Sequence, residues 1–439
     1  MKTYRIITYG CQMNERDSET IAGILTGRGY RRATEDEDPD VIVLNTCCVR
    51  EGAERKIFGK AEELKAVKRA RPGTIIAVAG CLPQQPGAAE AIAKKLPHVD
   101  IVLGTHNIER IGEAVERVAG SRCPFIEVLD KETEPSEGLP SVRAPGVRAW
   151  VTVMYGCDNF CSYCIVPYVR GRERSRLPGE IEAEVEGLVS AGFREVVLLG
   201  QNVNAYGRTL GTGEDFAGLL RVVDSVPGLL RTRFMTSHPR DFTQEMVRAV
   251  RDLPTVCEHI HLPVQSGSDT VLERMNRGYT REQYMDLASR IREAMPDSSL
   301  TTDIIVGFPG EDEREFAGTM DLVRRVEFDA AFTFIYSPRK GTRAAQMPGE
   351  VPFAAKKGRI SELIAVQNEI THKKNRDLTG RVFEVLVEGP SERDPSVMAG
   401  RTRQNKMVHF RSGSAQGSLV SVRITSTGTW TLRGEVLGE

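Results

Sequence analysis

The chain has 439 residues, and 59 Lys plus Arg against 60 Asp plus Glu leave a formal net charge of −1. At about 150 residues per domain the length predicts about three domains, and 40% hydrophobic with 27% charged residues excludes a disordered or fibrous chain. The balanced charge excludes a global attraction to nucleic acid or anionic membrane, so any such contact must come from a local basic surface.

The first 120 residues alternate strand and helix patterns. Tyr4–Tyr9, Val41–Leu44, Ile75–Ala79 and Ile101–Leu103 read as strands. Asp17–Gly29 and Arg50–Arg71 read as helices, with a further helix running through Ala119. This βαβα order predicts an open parallel sheet with helices on its faces, residues 1–120. Pro124, Pro135, Pro140, Pro145, Gly138 and Gly146 make 121–148 a linker.

From 149 the alternation restarts. Ala149–Met154, Glu195–Leu199, Thr232–Met235, His259–Leu262, Thr301–Val306 and Ala330–Ile335 are strand-like. Ile181–Ala191, Arg281–Met295 and Glu313–Val326 are helical, and a long polar helix over Phe353–Leu378 closes the segment. Six βα units predict a partial (β/α)6 barrel over 149–376, with an open doubly wound sheet as the competing topology. In 377–439 the period changes: Val382–Glu388, Leu419–Ile424 and Thr429–Leu432 predict a small all-β barrel. The fold class is thus multidomain α/β. No apolar run approaches the roughly 20 residues of a membrane helix, and no signal-peptide pattern is visible. A cytoplasmic protein without membrane contact is expected.

The nine cysteines are the unusual feature. An odd count in a chain of this kind points to metal binding rather than a disulfide framework. Cys157, Cys161 and Cys164 form C-x3-C-x2-C just beyond the first strand of the central domain. Three thiolates on one loop suit three irons of a cubane cluster and leave the fourth iron open. Structural zinc sites want four closed ligands with paired spacings, and no fourth ligand lies nearby in sequence.

Cys11, Cys47 and Cys81 each lie just beyond the C-terminal end of a predicted strand, and Gly10 and Gly80 precede two of them. In a parallel sheet those ends share one edge, where α/β sheets bind ligands. The three would then form a second incomplete site; three buried cysteines acting as small hydrophobes is the alternative. Cys48, Cys123 and Cys257 fit neither set, and Cys48, beside Cys47, is expected to point elsewhere.

Gln201 and Asn202, Gln265 and Ser266, and Gly307, Phe308 and Pro309 end three further strands on the same predicted rim, and are candidate cofactor-binding residues. Ordinary loop polarity is the alternative for each. Arg170, Arg172, Arg174 and Arg176, with Arg401, Arg403, Lys406 and Arg411 in the C-terminal barrel, are candidate RNA contacts. A solvated charged surface is an equal reading.

The chain resembles the radical S-adenosylmethionine methylthiotransferases over essentially its whole length. The resemblance rests on Tyr9-Gly10-Cys11-Gln12-Met13-Asn14, Asn45-Thr46-Cys47-Cys48-Val49-Arg50-Glu51, Ala79-Gly80-Cys81, Gly156-Cys157 through Cys164-Ile165-Val166-Pro167-Tyr168, and Arg170-Gly171-Arg172-Glu173-Arg174-Ser175-Arg176. Its tail is similar to the TRAM domain, an RNA-binding β-barrel. The resemblance implies two [4Fe-4S] clusters. Cys157, Cys161 and Cys164 would hold one, whose free iron takes S-adenosyl-L-methionine. One electron would cleave that cofactor, and the 5′-deoxyadenosyl radical would take hydrogen from carbon 2 of an adenine. Cys11, Cys47 and Cys81 would hold an auxiliary cluster carrying the sulfur to be inserted, and a second S-adenosylmethionine would give the methyl group. An aromatic C–H is not acidic enough for a side-chain base, so the hard step belongs to a cofactor. No conventional catalytic His or carboxylate stands out.

Gln12-Met13-Asn14 and Cys47-Cys48-Val49-Arg50-Glu51 favour the branch that converts N6-isopentenyladenosine next to the tRNA anticodon into its 2-methylthio derivative. Sister branches act on N6-threonylcarbamoyladenosine in tRNA or on a ribosomal-protein aspartate. The resemblance further implies tRNA, a reductant such as flavodoxin or ferredoxin, and a sulfur or cluster supply system as partners, with the chain a monomer. The rival from another class is a non-catalytic iron–sulfur RNA-binding sensor.

Overall fold

A computed structural model describes residues 1–48, 51–130 and 137–438. Val49, Arg50 with the predicted helix start, and Pro135 of the linker lie outside the described residues. The N-terminal unit runs β1 (Thr3–Tyr9), α1 (Gln12–Gly27), β2 (Arg31–Arg32), β3 (Val41–Thr46), α2 (Glu51–Ala70), β4 (Ile75–Gly80), α3 (Ala88–Lys95), β5 (Ile101–Leu103), α4 (Ile111–Ser121) and β6 (Phe125–Glu127). All its pairings are parallel, in the order β2-β1-β3-β4-β5-β6. β3 and β4 are buried along their whole length, which is why they read as unbroken apolar runs. Ile21 and Leu25 of α1 with Ile111 and Val115 of α4 cover one face. Ile57 and Leu64 of α2 with Ile92 of α3 cover the other.

Because β2 lies on one side of β1 and β3 on the other, strand order reverses between β1 and β3. That switch point opens a crevice at the strands' C-terminal ends. Two details differ from the sequence expectation. Helix α1 starts at Gln12 rather than Asp17, because Cys11 occupies its N-cap and Asn14 accepts the Cys11 N–H at 3.3 Å. β6 pairs with β5 inside the stretch read as linker, since a short edge strand is defined by its partner more than by its own sequence.

The central unit runs β7 (Arg148–Thr152), β8 (Met154–Tyr155), α5 (Val166–Val169), β9 (Arg174–Ser175), α6 (Pro178–Ser190), β10 (Glu195–Leu199), α7 (Phe216–Asp224), β11 (Arg231–Phe234), α8 (Gln244–Asp252), β12 (His259–His261), α9 (Asp269–Arg274), α10 (Arg281–Ala294), β13 (Ser299–Val306), α11 (Glu313–Val326), β14 (Ala330–Ile335) and α12 (Phe353–Arg376). β7, β10 and β11 form one parallel set and β12, β13 and β14 another. A parallel bridge between Thr232 and Val256 joins the two sets. Neighbours follow chain order with no reversal, which gives the partial barrel rather than the doubly wound sheet. Among the described residues β7 and β14 do not pair, so the barrel is open on one side.

β15 (Val382–Pro390), β16 (Met398–Thr402), β17 (Met407–Arg411), β18 (Leu419–Thr427) and β19 (Thr431–Val436) close into a five-stranded barrel. The β16–β17 hairpin docks on the N-terminal ends of the central strands. Arg231 and Arg233 of β11 donate to the carbonyls of Arg401, Thr402 and Arg403. Arg403 pairs with Glu258 at 2.7 Å, and Lys406 with Asp329 at 3.2 Å.

Candidate functional site

Cys11 follows β1, Cys47 follows β3 and Cys81 follows β4, so the three meet at the switch point of the N-terminal sheet. Two asparagines hold the loops together. Asn45 Nδ2 donates to the carbonyl of Asn14 at 2.7 Å, and Asn14 Nδ2 donates back to Asn45 Oδ1 at 3.3 Å. The Cys81 N–H donates to the Thr46 carbonyl at 2.8 Å. Gly80 has φ +105, and a Cβ there would sit 2.5 Å from Asn45 Oδ1 and 2.6 Å from the Thr46 carbonyl, so only glycine fits.

The sulfur of Cys11 is hydrogen-bonded to Cys47, and against its burial this lowers its pKa to about 6, aided by Arg170 and the backbone N–H groups at the start of α1. Cys81 is also held below its ordinary value, chiefly by the Cys48 thiol and, despite burial, by Arg170. Cys48 therefore does not point elsewhere. It is buried against Cys81, Ile165 and Val169, and is the fourth thiol of the edge. Cys123 is exposed, and Cys257 is buried in the central unit.

The second set lies on the loop after β8. Gly156 has φ +74, and a Cβ there would fall 1.9 Å from the Arg172 carbonyl oxygen. The Gly156 N–H donates to Gln201 Oε1 at 2.5 Å, and the Cys157 N–H to the Gly171 carbonyl at 3.2 Å. Phe160, between the first two cysteines, takes φ +45, and Asn276 Nδ2 caps the carbonyls of Asn159 and Phe160 at 3.1 Å each. Arg277, fully enclosed, donates to Cys161 Sγ at 3.4 Å and to the Pro263 carbonyl at 2.7 Å. Burial pushes the thiols of Cys157 and Cys164 up to about 12.

The two sets are neighbours. Ile165, next in sequence to Cys164, packs on Cys48 and Cys81. Met13 and Cys11 pack on Trp150, Val197, Leu199 and Met235 of the central strands. Among the described residues no three Cys, His, Asp or Glu side chains gather round one point as a single ion requires. Three thiols brought from separate strand ends, or from one loop, are the donor set of a cubane, which uses one thiolate per iron.

The strand ends of the central barrel carry buried polar atoms with no hydrogen-bond partner: Asn202 Oδ1, Ser237 Oγ, His238 Nε2, Gln265 Oε1 and the Tyr336 hydroxyl. Such atoms are costly unless something pairs them, and together they form a rim suited to a polar cofactor. Burial, then Arg277, pushes His238 down to about 2, so it stands there as a neutral ring. Gln201 braces the cysteine loop. Ser266 is spent on Thr319, at 3.3 Å. Phe308 is fully buried, its ring centroid 5.2 Å from that of Tyr336. Gly307, at φ +70, lies against the stem of Lys356 and leads through Pro309 into α11. Ser266 and Phe308 thus shape the rim from behind.

Several candidate RNA contacts are placed otherwise. Arg170 is buried and paired with Asp17 at 2.6 Å, and Arg176 is buried between Glu137 and Glu184 at 2.7 Å each. Arg401 pairs with Glu388 of the barrel itself at 3.1 Å while its carbonyl accepts from Arg231, and Arg403 and Lys406 fasten the C-terminal barrel to the central unit. A guanidinium facing a carboxylate inside the protein is not free for phosphate. Arg172, paired with Asp158 at 2.9 Å and stacked on Phe160, stays exposed, and Arg174 lies half-buried over Tyr155. Arg393, Arg411, Arg423 and Arg433 of the barrel are exposed. Sequence reasoning gives no role to Asn14, Asn45, Asp17 or Arg277; the first two stand inside the family's motifs, while the other two have no local signal.

Three family models match: Radical SAM superfamily at 151–323, Uncharacterized protein family UPF0004 at 3–104, and TRAM domain at 376–437. The tRNA-2-methylthio-N(6)-dimethylallyladenosine synthase of Moorella thermoacetica is 54% identical over 437 residues, covering 99% of this chain and 98% of that protein. The protein of the same name from Clostridium novyi is 50% identical over 437 residues, covering 99% and 97%. Among solved structures, the radical S-adenosylmethionine methyltransferase TsrM of Kitasatospora setae, with cobalamin and a [4Fe-4S] cluster bound, superposes with TM-score 0.59. It covers 79% of this chain and 77% of that one at 14% identity, a likeness of fold.

Proposed function

The chain belongs to the family of tRNA-2-methylthio-N(6)-dimethylallyladenosine synthases, and from that premise we propose how its residues divide the work. It is a radical S-adenosylmethionine tRNA methylthiotransferase, acting at N6-dimethylallyladenosine, which is N6-isopentenyladenosine under another name. S-adenosylmethionine and a [4Fe-4S] cluster are its cofactors, and tRNA is its substrate.

The residue assignments are our reading. Cys157, Cys161 and Cys164 hold the cluster that binds S-adenosylmethionine, and Cys11, Cys47 and Cys81 hold an auxiliary cluster. Bound there, the cofactors supply the radical chemistry and the sulfur. The chain's own residues do the rest. Gly156, Gln201, Asn276 and Arg277 fix the cysteine loop. The unpaired atoms of Asn202, Ser237, His238 and Gln265 orient the polar cofactor, and the neutral imidazole of His238 can accept a hydrogen bond from it. Met13, Trp150, Leu199 and Met235 close the space between the two sites against water. Residues 1–127 form the auxiliary domain, 148–376 the radical domain and 377–438 the RNA-binding barrel. tRNA rests on the exposed Arg393, Arg411, Arg423 and Arg433 instead of the docked arginines. A flavodoxin- or ferredoxin-like carrier supplies electrons, a cluster-supply system renews the sulfur, and the protein acts as a cytoplasmic monomer. Among the described residues no helix is long and apolar enough to cross a membrane.

The observation that carries the two-site reading is the meeting of the cysteine sets through Ile165, Cys48 and Cys81. The test is nucleoside mass spectrometry of tRNA from a host lacking its own methylthiotransferase and expressing this chain under low oxygen. The 2-methylthio derivative of N6-dimethylallyladenosine is expected. It should vanish with Cys47→Ala, and its persistence in that variant would overturn the auxiliary assignment.

A further inference from the structure

Three donors converge on the sulfur of Cys81. Arg170 Nε lies 3.3 Å from it, Asn14 Nδ2 3.9 Å, and the Cys48 thiol is hydrogen-bonded to it. Arg170 is 6% exposed and comes from the central unit, directly after α5. The same guanidinium grips Asp17 on α1 through Nη2 at 2.6 Å and Nη1 at 3.4 Å. One side chain thus crosses between domains and holds a carboxylate and a thiol at once. The radical loop receives less: Arg277 is the arginine that reaches a thiol there, at 3.4 Å from Cys161.

We propose that Arg170 is a positioning residue for the auxiliary cluster, fixing Cys81 and, with Cys48 and Asn14, setting how readily that cluster accepts an electron. The proposal rests on the reading that Cys11, Cys47 and Cys81 hold a cluster. Groups behind a metal ligand fix its orientation and tune the metal. Hydrogen bonds to the sulfurs and nearby positive charge favour the reduced, more negative state of an iron–sulfur cluster, and so raise its reduction potential. Charge-assisted donors do this most strongly. Cys48 acts here as a donor, not a ligand.

The experiment is a potentiometric titration of the reconstituted full-length enzyme followed by electron paramagnetic resonance. The radical cluster is identified by the change in its signal when S-adenosylmethionine is added. Arg170→Gln should move the auxiliary midpoint to lower potential, Arg170→Lys less far, and Cys48→Ala least, while the radical cluster's midpoint stays put. Arg170→Gln with full iron content and wild-type midpoints overturns the proposal. If Arg170→Gln instead loses the auxiliary iron, the other two variants decide, because both leave a cation opposite Asp17. Unmoved midpoints in both overturn the proposal, as does loss of auxiliary iron in Cys48→Ala, which would make Cys48 a ligand. Wild-type enzyme with iron for one cluster alone overturns the two-cluster reading and this proposal together, whereas two clusters with unmoved midpoints overturn only the proposal.

Discussion

The two cysteine sites reach a similar inventory of thiols by opposite routes. The radical loop is contiguous in sequence, and its thiols are buried with little to favour their charge, so those of Cys157 and Cys164 are pushed up to about 12. The auxiliary edge is assembled from three strand ends, and there the Cys11–Cys47 hydrogen bond, the start of α1 and Arg170 bring Cys11 down to about 6. At the edge the fold holds Cys11 and Cys81 below their ordinary values. At the contiguous loop, a metal bound there would itself have to displace the protons. Backbone shape marks the contiguous site: Gly156 and Phe160 take positive φ beside and between its cysteines, and Asn276, from a separate loop, caps the carbonyls of Asn159 and Phe160.

The sharpest way to break this comparison is to remove one thiol from each side. Cys161→Ala should reduce 5′-deoxyadenosine formation from S-adenosylmethionine to background. Cys47→Ala should retain that cleavage and lose methylthiolated product. Equal loss of cleavage in both would mean that the sites are not separable. Next in size, Gly156→Ala and Gly80→Ala should each lose about half the iron, at their own site. Each places a Cβ against a carbonyl and forces an unfavourable φ, which costs about 1–3 kcal/mol at a single residue. Iron analysis with the electron paramagnetic resonance spectrum of each variant checks this, and retention of both clusters in either would show that its loop can yield.

The contrast also explains what is legible in the sequence. C-x3-C-x2-C is visible because its geometry is local. Cys11, Cys47 and Cys81 are visible because strand ends of a parallel sheet share an edge, a rule that needs only the element order. Cys48 is not, since one residue's shift after β3 decides which neighbour it meets. The arginine run from Arg170 to Arg176 resembles a solvated surface, yet Arg170 finds Asp17 at a separation of 153 residues. Nothing within a window of sequence signals such a partner. Short strands β2, β6, β16 and β17 escape the sequence for the same reason, because the strand beside each one defines it. The βα alternation of the central unit needs no such partner, and Glu313–Val326 appears there with the ends the sequence predicts.

The prepared thiolate can be tested in cluster-free protein. Thiolates, not thiols, are alkylated. With Cys11 at about 6, its carbamidomethylation should rise through that pH and level off near neutrality. Labelling of Cys157 and Cys164, at about 12, should keep rising to the highest pH the fold tolerates. Peptide mass spectrometry across a pH series reads all three at once, and parallel curves would remove the distinction between the two sites.

The smallest expected effect concerns the arginines of the C-terminal barrel, which divide in the same way between prepared structure and free surface. Deleting 377–438 would be a poor test, because Arg231 and Arg233 would lose the carbonyls that satisfy them at the base of the central barrel. Point variants separate the two roles. Arg411→Ala with Arg433→Ala removes exposed charge, so tRNA half-saturation should rise a few-fold. The salt dependence of binding should also flatten, by about one unit of slope for each phosphate no longer neutralised. Arg403→Ala instead leaves Glu258 without its partner at a half-buried interface, so thermal stability should fall while the salt slope holds. A flattened slope in Arg403→Ala, or an unchanged one in the double variant, would return the RNA contact to the docked side of the barrel.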